Sequence, residues 1–200
     1  MPEIKHTIPP RDSWITLAPG AAIHMDERLG KEWQKLRRNC REIRGNVLAG
    51  CFEIEYTLDQ VISEVLIPTS ANLSESRDLL DELFLKGTGA TFRSKIEVLR
   101  KLRARVSSLQ SLLQEDIIAK LNAVREVRND FAHYPVTFEP TGQPPQQNLV
   151  PVLISRRGRF ALDDAFLKET GTLFGSVMSQ LEAAVKSLLP PDPPTQHSGA

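Results

Sequence analysis

The chain has 200 residues, 40 % of them hydrophobic and 25 % charged, a length and make-up suited to one soluble domain with appendages. Its 25 basic and 25 acidic side chains cancel to a formal net charge of zero, which excludes a global field drawing the protein to nucleic acid or membrane. The 2 cysteines rule out a disulfide framework, no apolar stretch approaches the length of a membrane span, and the first segment lacks the apolar run of a secretory signal; together these predict a cytoplasmic protein that does not enter a membrane.

Residues 1–25 are rich in Pro and Gly and lack periodicity, so they read as an arm draped over the domain. From Asp26 an apolar seam begins. Trp33, Leu36, Cys40, Ile43, Val47, Gly50, Ile54, Leu58, Val61 and Val65 follow steps of three and four, up to the stop at Ile67-Pro68. One helix of that length spans roughly 60 Å, and either Gly45 or Gly50 can break it in two. The seam suits the core of a helical bundle, and its excess length suggests a dimer contact. Cys40 and Cys51 lie on this stretch about 16 Å apart along the axis, too far to bridge within one chain.

Charge is unevenly spread along the chain. Lys31 to Arg44 holds six basic and two acidic residues, Arg93 to Arg105 six basic and one acidic, and Glu53 to Glu82 eight acidic and one basic. The pattern is open to two readings: a basic stripe on one face, or solvated helix faces that pair with each other.

"NLSESRDLLDELFLKG" reads as a short helix with Ser74 as its cap and Gly87 as its stop. Gly87 and Gly89 lack both the spacing of a phosphate loop and a preceding strand. Thr91 caps the next predicted helix, whose apolar face is Phe92, Ile96, Leu99, Leu102 and Val106. "LQEDIIAKLNAVREVRNDFAHY" is a further helix, ended by Pro135. "VTFEP" and "LVPVLISRRGRFAL" are strand-like, with a hairpin turn at Arg157-Gly158 and a loop at "TGQPPQQN". Asp163 or Asp164 caps a last helix carrying Phe166, Leu173, Val177, Leu181 and Val185 on one side. The expected fold is mainly α, an up-and-down helical bundle over 26–189, with a small β-ribbon at 136–162 before the last helix. Residues 190–200 read as a disordered tail.

The chemistry-bearing stretch is "VREVRNDFAHYP", Val124 to Pro135. With Ile117 at zero on a helical wheel, Leu121, Val124 and Phe131 fall within about 40° of it, and Arg128 falls inside that stripe near about 20°. Arg125, Asn129 and His133 line one shoulder. A buried guanidinium requires a partner, either a carboxylate such as Glu53, Glu55 or Asp59, or a phosphate. Histidine readily exchanges protons near neutral pH. A histidine one turn after an asparagine, beside a buried arginine, suits phosphodiester chemistry. The arginine would stabilise a pentacovalent phosphorane, the histidine would move the proton of a 2′-hydroxyl or of the leaving oxygen, and neither metal nor cofactor is called for. His6, His24 and His197 form no metal-ligand spacing, and no Ser-His-Asp or Cys-His arrangement is legible.

Arg128-Asn129-Asp130-Phe131-Ala132-His133 resembles the arginine, polar residue, three residues, histidine signature of the HEPN superfamily, α-helical bundles of toxins, RNA-processing and defence proteins. "FRSKI" from Phe92 with Leu99, and "FEIEYTLD" from Phe52, resemble that superfamily's other helices. The resemblance covers roughly residues 45–135 and the last helix. It implies a metal-independent endoribonuclease or RNA-processing protein that leaves a cyclic phosphate. It also implies a homodimer that pairs two motif helices, with RNA as substrate and an antitoxin or regulatory protein as a further partner. On this reading Arg128 and His133 are catalytic, Asn129 orients the histidine or the phosphate, and Arg125, Lys95 and Tyr134 bind substrate. The chain departs from the toxin branch regulated through a tyrosine two residues after the histidine: Tyr134 is adjacent and position 135 is proline. The same residues are also similar to the mannitol-operon repressor-like proteins, which implies the alternative of a non-catalytic module for transcription regulation or protein interaction.

Overall fold

A computed structural model of the protein describes residues 15–17, 27–69, 73–85, 90–142 and 148–189. In chain order these form β1 (Ile15–Leu17), α1 (Glu27–Leu66), α2 (Ser74–Leu80) running into a π-helical turn (Asp81–Leu85), α3 (Phe92–Arg105), α4 (Ser107–Leu112), α5 (Ile117–His133), β2 (Val136–Thr141), β3 (Asn148–Ser155), β4 (Gly158–Ala161) and α6 (Asp164–Leu188). The fold is the expected one, a mainly α bundle with a small β-ribbon ahead of the last helix. The chain divides into two compact units, Met1–Cys51 with Glu126–Thr172, and Phe52–Arg125 with Leu173–Ala200, so α1, α5 and α6 each contribute to both.

α1 runs unbroken through Gly45 and Gly50, where the sequence allowed a break. A single glycine costs a helix only about 1 kcal/mol, less than is gained by burying a continuous apolar stripe. That stripe is the predicted seam: Cys40, Val47, Ile54, Leu58 and Val61 are buried.

In the first unit, β2 lies inside the sheet order β1-β2-β3-β4. Covered on both sides, it buries Val136, Thr137 and Phe138 in succession, as an interior strand does. Thr137 satisfies its hydroxyl on the Val152 carbonyl at 3.3 Å. Trp33 of α1 packs on Phe138 with ring centroids 4.6 Å apart, and Phe166 of α6 meets Phe131 and Phe160 at 6.0 and 6.5 Å. β1, parallel to β2 with Ile15 opposite Val136, falls in the predicted arm; the rest of that arm lies outside the described residues. The β3–β4 hairpin pairs Ser155 with Gly158 around Arg156-Arg157, one residue earlier than the predicted turn. Gly158 sits at φ 134°, a conformation costly for any residue with a Cβ.

In the second unit, the core joins Ile54, Leu58 and Ile62 of α1, Phe92, Ile96 and Leu99 of α3, Leu109 of α4, Ile117, Leu121 and Val124 of α5, and Val177 and Leu181 of α6. Thr91 caps α3 as predicted, its hydroxyl accepting from the Ser94 amide at 3.2 Å. Ser74 opens α2 as its first helical residue; the cap position is Leu73, and no side chain bonds there. The predicted stop at Gly87, the Gly87/Gly89 pair and the 190–200 tail lie outside the described residues. Among the described residues no helix is long and apolar enough to cross a membrane.

Candidate functional site

The final turns of α5 are built by alternation of anchored and open positions. Phe131 is wholly buried, and Asp130 is 5 % exposed. Asn129 and His133 are exposed on the outer side, and Arg128 is half-buried between these extremes. Pro135 cannot continue the helix, and the Tyr134 amide closes it on the Asp130 carbonyl at 3.0 Å. The structure therefore presents the arginine, asparagine and histidine on the last turns of one helix, with the histidine at its very end.

Two further arginines hold that end. Arg44 of α1 donates from Nη2 to the Ala132 carbonyl at 3.0 Å and from Nη1 to the Tyr134 carbonyl at 3.4 Å. A cation on the terminal carbonyls satisfies groups that the helix leaves without partners and complements its dipole. Burial lowers the pKa of Arg44 from the usual guanidinium value. Arg157, in the hairpin turn, donates from Nε to Asp130 Oδ2 at 2.9 Å, with Nη2 on the same oxygen, and from Nη1 to Glu126 Oε2 at 3.2 Å. Its guanidinium also lies 5.5 Å from the Phe160 ring centroid. The β-ribbon thus braces the motif helix through a residue inside the motif. Neither arginine was expected from sequence. Neither partnership has a local signal, because 27 residues separate Arg157 from Asp130 and 88 separate Arg44 from Ala132.

Lys95 and Arg125 belong to the other unit. Lys95 is 5 % exposed, and its ammonium contacts Glu55 Oε1 at 3.1 Å and Asp59 Oδ2 at 2.8 Å. A buried ammonium shared by two carboxylates holds α3 against α1; Lys95, expected from sequence to bind substrate, is thus paired and largely out of solvent. Glu55 and Asp59, named from sequence as possible partners for Arg128, thus carry Lys95. Asp59 Oδ1 is buried without a hydrogen-bond partner. Desolvation, with Lys95 opposing and Glu55 and Asp81 adding to it, pushes the Asp59 carboxyl up to about 6. Arg125 is half-buried and lines a groove with residues of α3.

Both cysteines are buried and neither forms a disulfide, and burial pushes the Cys40 thiol up to about 11, so it stays protonated and unreactive. Among the described residues no group of three or more His, Cys, Asp or Glu side chains is placed to hold a metal ion. No protein-family model, curated protein or solved structure matches the chain.

Proposed function

We propose that the protein is a metal-independent endoribonuclease or RNA-processing protein of HEPN type, acting in the cytoplasm, whose site is the Arg128-Asn129-His133 end of α5 joined by the same end of a second copy. The observation that carries this reading is the exposure of His133 and Asn129 on a helix end that Arg44 and Arg157 hold rigidly, with Arg128 half-buried beside them. A general acid–base needs access to substrate, and a phosphate clamp needs a fixed frame.

The reaction fits these groups. The 2′-oxygen of a ribose attacks the adjacent phosphorus and the 5′-oxygen leaves, giving a 2′,3′-cyclic phosphate and a 5′-hydroxyl. One proton leaves the 2′-hydroxyl and one reaches the departing oxygen, the task assigned to His133. Arg128 balances the charge that grows on the non-bridging oxygens, and Asn129 orients the histidine or the phosphate. Tyr134, half-buried next to His133, is the residue assigned to contact the strand.

The test is cleavage of an RNA with structured and single-stranded segments in EDTA by wild type, His133→Ala and Arg128→Ala. The expected result is cleavage that resists EDTA and falls by 10²-fold or more in both variants, roughly the contribution of one acid–base group or one charge-stabilising donor. A folded wild-type dimer that cuts nothing would instead favour the non-catalytic regulatory module.

A further inference from the structure

The second unit carries a groove of about 710 Å³ that the proposed active site does not use. Arg93, Glu97 and Arg100 reach it from one face of α3, at intervals of four and three residues. Ile118, Asn122 and Arg125 reach it from one face of α5 at the same spacing. Three arginines against one glutamate leave the lining with a net charge of 3 − 1 = +2, in a chain whose total is zero. Of the basic run from Arg93 to Arg105, Arg93 and Arg100 line this concave surface.

The groove's one carboxylate is already engaged. Glu97 accepts from Arg100 Nε at 2.9 Å and Nη2 at 2.5 Å, a two-bonded pair about half exposed at the surface. Exposed pairs of this kind contribute little, so an arriving phosphate can take Arg100 from Glu97 without a large penalty. Among the described residues no aromatic side chain lines the groove, so it offers no stacking platform for a base. Open form, excess arginine and absent aromatics suit a backbone rather than a nucleobase.

The geometry points to this groove as a binding track for the sugar–phosphate backbone of RNA, read without regard to sequence. The choice of RNA rests on the function proposed above; the groove itself stands on its own charge and shape. Glu97 acts within it as an internal competitor for the phosphate.

The experiment is fluorescence anisotropy with a labelled oligouridylate in EDTA across a salt series. The full chain carries His133→Ala so that the strand stays intact. Removing two arginine–phosphate contacts with Arg93→Gln/Arg100→Gln should lower the slope of log affinity against log salt by about 1.4, and weaken binding at low salt by about tenfold or more. Glu97→Gln should tighten binding roughly two- to fivefold, the worth of an exposed ion pair. Unchanged slope and affinity in the double variant would overturn the inference, as would displacement of the strand by inorganic pyrophosphate at equal phosphate concentration, which would mark a small-anion site. The two readings separate cleanly. Wild-type cleavage with no effect of the groove variants removes the track and leaves the active site; a groove-dependent slope without any wild-type cleavage does the reverse.

Discussion

Lys95 is the residue on which the buried charge of the second unit turns. Its ammonium stands between Glu55 and Asp59, and each of the three side chains is largely out of water. Lys95→Met keeps most of the volume and removes the cation, which leaves two buried carboxylates facing one another. The expected loss is about 3–5 kcal/mol at pH 7, measured by urea unfolding, and a smaller loss at pH 4.5, where protonation relieves the repulsion. Equal losses at the two pH values would mean that the lysine acts through packing. Asp59 gives a second, signed prediction. Its folded pKa of about 6 lies above the ordinary value of 3.8, so the folded state binds the proton more tightly than the unfolded chain. Its contribution to stability is therefore complete below about pH 4 and is lost as pH rises through about 6. Glu64 runs the other way. Burial raises its pKa, but bonds from Arg77 and Thr69 outweigh that and hold the carboxyl below its usual value, so its contribution is complete above the ordinary glutamate range and is lost as pH falls below it. In unfolding curves taken from pH 4 to pH 7, Asp59→Asn should show a shallower decline than wild type. An unchanged decline would place the titration elsewhere.

At the scale of elements, the β-ribbon and α5 form one device. Arg157 reaches from the hairpin turn to Asp130, a carboxylate whose side chain is 7 % exposed. Arg157→Ala leaves that carboxylate without this cation, at an expected cost of about 1–3 kcal/mol, held down because the arginine itself is 40 % exposed. The loss should appear as a lower melting temperature and as faster amide hydrogen exchange at Ala132–Tyr134, and Asp130→Asn in the same chain should recover part of it. This device also marks the boundary of what sequence reveals. The cap at Thr91, the stop at Pro135 and the three strands of the ribbon are local signals, carried by a few adjacent residues, and the structure has each of them. The shoulder of α5 that exposes Asn129 and His133 was legible for the same reason, since helical period alone sets it. β1 was not, because three residues gain strand character only by pairing with Val136–Phe138 far along the chain. Nor was the break between α3 and α4, which falls at Val106, an extended residue with neither Gly nor Pro to announce it. The braces at Arg44 and Arg157 are tertiary facts, and one sequence without its fold carries no trace of which carbonyl or carboxylate they meet.

At the scale of the whole molecule, the proposed site needs two chains. The proposed chemistry divides its labour between a charge that stays fixed, on Arg128, and a proton that moves, on His133, and the proposed site takes both from two copies of α5. This arrangement makes a prediction that a site within one chain does not. Arg128→Ala and His133→Ala are each expected to be inactive as homodimers, since one lacks both arginines and the other both histidines. Mixed and allowed to exchange subunits, they form heterodimers that retain one of each. Random exchange makes about half of the dimers mixed, so RNA cleavage should rise well above that of either variant alone and should grow with the time allowed for exchange. A site confined to one chain would stay silent in every mixture, because no chain then holds both groups. Sedimentation of the same mixtures separates this outcome from a failure to associate: heterodimers that form and remain inactive would refute the shared site, whereas wild-type chains that cleave as monomers would move the whole reaction into a single α5.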